Sequence, residues 1–483
     1  MVNSIVLKNA SIIDGSGSAP YSGHLIIKEN KINSIVRDGE LSLDKDANVI
    51  DLTGKSVMPG LIDAHCHISF DEPRSNDELF FHRREGLAAI IAGTNALKVL
   101  QSGVTSFFDA DSLYSVGVDL RDAIESGVIV GPRMAVGGNA LLTSAGGTAG
   151  RLIPDEGKRG YGAVVTSKDE IILEIRRQIK MGVDWIKIHV SGMVPRQSSE
   201  GELKAWSLDE LKLACDTAHE LGIPVVGHCR GPDSVKDALL AGFDMILHGT
   251  YMDEEGLEIM IDRNVPLVPT FTFQANLIDY AEKMEASTDY KDIFEKEIQD
   301  NVPIFRKAFE AGVPFICGSE SGFSVTPYGD WHYKELEVFV EKLGLSPLEA
   351  ITCATKNAAS AMKRDDIGQI AEGKIADLLV VDGDPSKDVK ILGDRDLINH
   401  VFLDGKDINL TPAPKRIKDP DYASPTLTKT DLEKFKNKVY TVKDSKGKTI
   451  DVNKRIQNSA FTKQLQKANK GKNQKSKDFM KKY

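Results

Sequence analysis

Eight short apolar segments recur between residues 58 and 320, separated by stretches with helical spacing, and this alternation constrains the fold more than any other feature. Strands interleaved with helices pair in parallel, because each crossover returns the chain to the same end of the sheet. The segments are residues 58–67, 103–109, 132–138, 184–191, 223–228, 245–249, 265–270 and 314–320. Helical spacing appears over 85–101, 119–126, 168–181, 208–220 and 234–241. The spacing predicts a (β/α)8 TIM-like barrel over residues 59–363. Short β-rich runs from 4 to 36 return in style at 373–382 and 400–405, with turn signals such as Asp14-Gly15-Ser16-Gly17 between them. They predict one discontinuous β-sandwich domain, an antiparallel sheet built from residues 1–58 and 364–410. Residues 411–483 form a separate Lys-rich extension.

In βα barrels chemistry collects at the C-terminal strand ends. Polar residues punctuate those ends here: His65 and His67 on the first strand, Asp109 on the second, Lys187 and His189 on the fourth, His228, His248, and Glu320 on the last. Residues i and i+2 of a strand point the same way, so His65 and His67 present two imidazoles on one face, with Asp63 beneath. Neutral imidazoles with a carboxylate suit Zn²⁺, Mn²⁺ or Fe²⁺, and four histidines plus an acid exceed what one tetrahedral ion needs. Two ions are therefore expected. Lys187, between Ile186 and Ile188, is costly to bury as a cation. It is either one half of a buried ion pair, with Asp109 or Glu320, or a neutral amine that adds CO₂ and bridges two metals as a carbamate. Cys66 and Cys229 alternate away from their histidine neighbours and read as apolar fillers, while His82 and His219 fall in helical patterns.

The motifs Pro59-Gly60-Leu61-Ile62-Asp63-Ala64-His65-Cys66-His67, Gly103-Val104-Thr105, Ile186-Lys187-Ile188, Gly227-His228, Leu247-His248-Gly249-Thr250 and Glu372-Gly373-Lys374-Ile375-Ala376-Asp377-Leu378 together carry a resemblance. The chain resembles the metal-dependent amidohydrolase superfamily, in its imidazolonepropionase-like and Xaa-Pro-dipeptidase-like branch, which includes hydrolases of N-acyl amino acids, ochratoxin, phenylureas and thiocarbamates. The resemblance implies that His65 and His67 hold one metal and His228 and His248 another, with N6-carboxylated Lys187 as the bridge. It implies hydrolysis of a C–N bond in an amide, N-acyl amino acid or dipeptide, urea or carbamate by metal-bound hydroxide, with Glu320 and His248 as the catalytic pair. Asp109, His189, Arg196, Tyr251 and His332 are expected to contact a small amide-like substrate, and residues 328–332 to close over it. Two departures stand out. Gly318-Ser319-Glu320 replaces the family's Gly-Thr-Asp, an acid on a longer stem, and Thr148 stands where relatives place a histidine. The alternatives are a one-metal deaminase or ring-opening hydrolase of the same superfamily, and a metal-binding protein without catalysis.

Charge and cysteine usage narrow the partners. From Thr411 to Tyr483 there are 20 Lys and Arg against 7 Asp and Glu, a net of +13, while the rest carries 41 against 64, a net of −23. The basic extension lacks interleaved aromatics, so it is expected to lie on an acidic body, its own or that of a partner subunit in a homo-oligomer, rather than on nucleic acid or membrane. The five cysteines show no Cys-x-x-Cys spacing, which argues against a disulfide framework or zinc knuckle. Met1-Val2-Asn3-Ser4-Ile5 starts no signal-like segment, and a cytoplasmic protein is expected.

Overall fold

A computed structural model of the chain describes residues 4–37, 41, 45–73, 84–147, 160–192, 201–283, 288, 290–412, 441–443 and 449–451. The chain divides into two units, Met1–Lys418 and Asp419–Tyr483. In the second, Thr441–Lys443 pairs antiparallel with Thr449–Asp451; residues 428–440, where the sequence also has helical spacing, lie outside the described residues.

The first unit opens with β1 (Ile5–Ile12), β2 (Tyr21–Lys28), β3 (Lys31–Val36), β4 (Asn48–Asp51) and β5 (Lys55–Pro59). These join β15 (Leu378–Asp382), β16 (Ile398–Leu403) and β17 (Lys406–Asp407) in one sheet of order β17-β16-β15-β5-β1-β2-β3, with β4 also on β1. Both ends of the first unit thus build one sheet, closed over Leu7, Ile12, Leu25, Val57, Val380 and Phe402. The sheet is mixed rather than antiparallel, since β1 runs parallel to β4 and β5. After β3 the chain crosses back to the start of the sheet before β4, and such a crossover yields parallel pairing.

The middle of the unit is parallel. β6 (Leu61–Cys66), β7 (Val104–Asp109) and β8 (Arg133–Val136) form one sheet. β9 (Ala140–Thr143), β10 (Gly162–Val165), β11 (Ile186–His189), β12 (Val225–Arg230), β13 (Met245–Thr250) and β14 (Leu267–Val268) form a second, of order β10-β9-β11-β12-β13-β14. β9 and β10 add a parallel pair that is not among the eight apolar segments of the sequence. Gly60 sits where the small sheet hands over to β6; a Cβ there would lie 2.2 Å from Thr105 Cγ2.

Among the described residues the regular ladders do not close into a barrel. The expected eighth strand, 314–320, is an extended but irregular segment. Leu267 donates to the Pro314 carbonyl, Ile316 to Leu267, Ala64 to Cys317 and Glu320 to His65, so the segment bridges β14 and β6 without forming a ladder. The Asp63 carboxylate takes the Ser319 N–H (3.0 Å), and Glu320 turns left-handed (φ +55°), which together interrupt regular pairing. Helices Glu85–Gln101, Val116–Glu125, Lys168–Met181, Leu208–His219 and Pro232–Ala241 cover the sheets. Their ends are locally encoded: Ser207 and Glu210 form a capping box, and Gly182 and Gly242 end their helices left-handed. Cys66 and Cys229 lie in the apolar layer beneath these helices. An inner layer of Ile62, Ala64, Phe108, Trp185, Val226, Leu247 and Ile316 floors the strand ends. Among the described residues no helix is long and apolar enough to cross a membrane.

Candidate active site

At the C-terminal ends of β6, β11, β12 and β13 the histidines gather in a chain of buried rings. His67 lies 5.0 Å from His65, His65 5.1 Å from His248, His248 4.5 Å from His228, and His228 4.8 Å from His189, centroid to centroid. Ligand atoms of His65, His248 and Glu320 all fall within 4.8 Å of one another. His248 joins this cluster because its backbone is left-handed (φ +66°), as is that of Glu320. Met245 and Leu247 point into the inner layer, so strict alternation would send His248 the other way. Left-handed conformations of non-glycine residues carry a cost on the order of 1–3 kcal/mol and persist where the surroundings enforce them.

Burial and the Lys187 charge hold the His65 imidazole well below its ordinary pKa; burial, His228 and His65 do the same for His248. Both rings are thus neutral, the form that binds metal. His65 Nδ1 bonds Thr270 Oγ1 (3.0 Å), leaving Nε2 to coordinate. Both ring nitrogens of His248 are buried with no hydrogen-bond partner among the described residues. An imidazole with neither nitrogen satisfied is costly unless something else takes its lone pair, and a metal ion fits that need.

Asp111, absent from the sequence reading, is the charge at the centre of the site. Fully buried, it lies 3.4 Å from Lys187 Nζ and 2.9 Å from His189 Nε2, and its Oδ1 stands 2.8 Å from His67 Nδ1, which also bonds the Asp111 carbonyl (3.2 Å). Burial alone would raise its carboxyl, but Lys187, His67 and His189 hold it well below the usual range. Against burial, the same carboxylate keeps His67 above its ordinary value. Lys187 is 1 % exposed and pairs with Asp111, not with Asp109 or Glu320. Glu320 is half-buried, its carboxyl raised by burial, an effect partly offset by His67, His228, Arg230 and Lys187.

The other expected substrate contacts divide. His189 lies inside the cluster, bonded by Tyr161 Oη (3.2 Å) as well as Asp111. Asp109 turns toward the covering helix: its Oδ1 takes the Ile68 N–H, and its Oδ2 is where a Cβ on Gly117 would come within 2.4 Å. Burial raises that carboxyl to about 7. His332 has both nitrogens occupied, Nδ1 on Asp63 Oδ2 (2.6 Å) and Nε2 accepting the Gly329 N–H (3.0 Å), so it fastens the 327–333 loop to β6. Tyr251 is left-handed (φ +59°) and donates its N–H to Asn301. Arg196, Thr148 and His82 lie outside the described residues.

The sequence reading also passed over Glu202, which bonds His228 Nε2 (2.8 Å), and Arg230, half-buried between Glu202 and Glu297. An aromatic series runs outward from the metal-ligand candidates. Phe70 stacks on His67 (4.4 Å, 4°), Phe323 meets both edge-on, Phe273 meets Phe323 at 5.5 Å, and Phe294 meets Phe273 at 6.4 Å.

The chain belongs to the amidohydrolase family, whose model matches residues 56–408. It is 29 % identical over 374 residues to ochratoxinase of Aspergillus niger, covering 72 % of this chain and 75 % of that protein. It is 24 % identical over 423 residues to imidazolonepropionase of Fusobacterium nucleatum, covering 79 % and 90 %. Among solved structures it is similar to a Xaa-Pro dipeptidase with methionine bound in the active site, at TM-score 0.72 and 29 % identity, over 84 % of this chain and all of that one. These relatives are named as hydrolases, and the chain is a hydrolytic enzyme. The family is generally metal-dependent, in keeping with the His65, His248 and Glu320 cluster. Similarity to these proteins implies a barrel with a small added domain, and the described residues show a mixed α/β fold of two parallel sheets beside the mixed terminal sheet.

Proposed function

We propose that this enzyme hydrolyses a C–N bond of an N-acyl amino acid, dipeptide, urea or carbamate at a centre of two divalent ions. Zn²⁺ is the first choice, Mn²⁺ or Fe²⁺ the others, held by His65, His67, His228, His248, Glu320 and carboxylated Lys187. The observation that carries this reading is His248: buried, and without a hydrogen-bond partner at either nitrogen among the described residues. The names of the relatives, ochratoxinase and Xaa-Pro dipeptidase, support hydrolysis of an amide C–N bond.

The chemistry such ions would supply is a bound water whose pKa is lowered to near 7, and polarisation of a carbonyl. This chain's own residues do the rest. Glu320, half-buried beside His65 and His248, is the group that takes a proton from the attacking water and passes it to the leaving nitrogen. Asp111 holds His67 and His189 in place and neutralises Lys187 until that amine is carboxylated. Carboxylation would turn a cation beside Asp111 into an anion, so in this reading it accompanies metal binding. Phe70 and Phe323, packed on His67, keep water from that side and offer an apolar wall to the substrate.

One observation favours a second reading. The Lys187 to Asp111 ion pair satisfies an unmodified lysine, and His65, His248 and Glu320 alone could hold a single ion. Metal content per subunit, measured on protein purified without chelator and with bicarbonate, separates the two, alongside a screen of N-acyl amino acids, dipeptides and aryl amides. Two equivalents with amide turnover support the first reading, one equivalent the second, and none after metal is offered overturns both.

A further inference from the structure

After β11 the chain turns back on itself and delivers Glu202 to the end of β12. Ser191 bridges Lys204, Gly192 donates to the Leu203 carbonyl, and Ala205 donates to Val190. Glu202 itself donates its N–H to the Arg230 carbonyl at 2.6 Å. The approach is close enough to require glycine before it: Gly201 has φ +88°, and a Cβ there would lie 2.5 Å from that same carbonyl oxygen.

The Glu202 carboxylate is then held on three sides. Ser191 Oγ–H donates to Oε2 (3.0 Å), Arg230 Nε lies 3.5 Å from Oε1, and His228 Nε2 lies 2.8 Å from Oε2. Arg230 is anchored in turn by Glu297, which Gln274 also contacts. A carboxylate kept ionised by an arginine can only accept hydrogen bonds, so the proton in the third contact belongs to His228 Nε2. In the neutral ring the lone pair then lies on Nδ1. The His189 ring, stacked 4.8 Å away at 19°, limits how far the imidazole can rotate out of this arrangement.

We propose that Glu202 is a positioning residue that locks His228 as the Nε2–H tautomer and so presents Nδ1 to a metal ion. The proposal rests on the metal-centre reading above. Carboxylates that fix a ligating histidine in this way strengthen metal binding, and their loss costs about 10–100-fold in affinity.

The test uses full-length, metal-stripped protein with ¹⁵N-labelled histidine, as wild type, Glu202→Ala, Glu202→Gln and Glu202→Asp. Imidazole ¹⁵N spectra report the His228 tautomer, and competition with a chromophoric chelator reports Zn²⁺ affinity. The wild type is expected to show His228 protonated at Nε2. Glu202→Ala releases it to a tautomer mixture and weakens one Zn²⁺ equivalent about 10–100-fold. Glu202→Gln, whose carbonyl still accepts, recovers much of both effects. Glu202→Asp keeps the charge but withdraws the oxygen, so it behaves like the alanine variant and takes its place should that one fail to fold. An unchanged tautomer, or Zn²⁺ affinity within about twofold of wild type in both the alanine and aspartate variants, overturns the proposal. A wild type that binds no Zn²⁺ sinks the metal-centre reading instead, while the spectra still decide whether Glu202 sets the His228 tautomer.

Discussion

Lys187 Nζ and Asp111 Oδ2 lie 3.4 Å apart with both side chains at most 1 % exposed, and around this pair the strand-end histidines are arranged. Removing one partner of such a pair leaves a charge buried without its counterion, at a cost of about 3–5 kcal/mol, whereas removing both costs far less. In metal-free protein, Asp111→Asn and Lys187→Met are therefore each expected to lose about 3–5 kcal/mol. The double variant should lose clearly less than the two together. Denaturant unfolding of all four forms gives the coupling directly, and additive losses would mean that the pair is not an energetic unit.

Glu320 sits in a left-handed backbone conformation with a half-buried carboxyl whose ionisation is opposed by burial. Both features weigh against stability and are understandable if the residue serves the reaction. Glu320→Gln keeps the shape and the backbone bond to His65 while removing proton transfer. The expected result is a fall in kcat of about 10²–10⁴-fold with an unfolding midpoint equal to or above that of wild type. A variant that retains most of its kcat would exclude Glu320 as the proton carrier.

The parts of this site visible in the sequence are those written in strand periodicity. His65 and His67 share a face because they are two apart on one strand, and Lys187 stands out because a lysine between two isoleucines conflicts with an apolar inner face. Asp111 escaped notice because it lies two residues past the end of β7, where alternation no longer says which way a side chain points. Glu202 escaped because it comes from a returning segment between β11 and the helix Leu208–His219, placed by tertiary hydrogen bonds rather than by any local pattern. His332 attracted attention as a polar residue after a strand, but its two nitrogens are spent on Asp63 and Gly329. The eighth strand was legible as an apolar segment, yet its irregularity depends on the Asp63 side chain taking a backbone N–H from 256 residues away.

Asp109 gives the fold a signature in its pH dependence. Its carboxyl is raised by burial to about 7, above the value of 3.8 for an exposed group. The folded state therefore keeps a proton that the unfolded chain releases. The corresponding stability is fully present below about pH 4 and is lost as pH rises through 7, by up to about 1.4 kcal/mol per pH unit in between. Neutral buried histidines act in the opposite sense over part of this range, so the comparison must be with Asp109→Asn, which shares them. The stability of wild type minus that of Asp109→Asn should fall between pH 5 and pH 8, with most of the change below 7. A difference that stays constant between those two pH values would show that Asp109 is not held protonated.

The aromatic series beginning at His67 makes the last prediction. Phe323 lies three residues beyond Glu320, half-buried, with one edge on His67 at 5.8 Å and another on Phe273 at 5.5 Å. Leu277 and Val325 back Phe323 and Phe273, while Phe70 closes the inner end of the series. Rings that stay partly exposed beside a buried polar centre offer apolar surface to whatever occupies that centre. Covering an apolar side group of a substrate there is worth about 1.5–3 kcal/mol. Phe323→Ala and Phe273→Ala should therefore lower kcat/KM for amides bearing an aromatic or branched group about 10-fold or more, relative to the matching alanyl or acetyl amides. Metal content and kcat on the small amides should hold for Phe273→Ala, whose ring meets Phe323 and Phe294 rather than a proposed metal ligand. Equal losses on large and small substrates would assign these rings to packing alone.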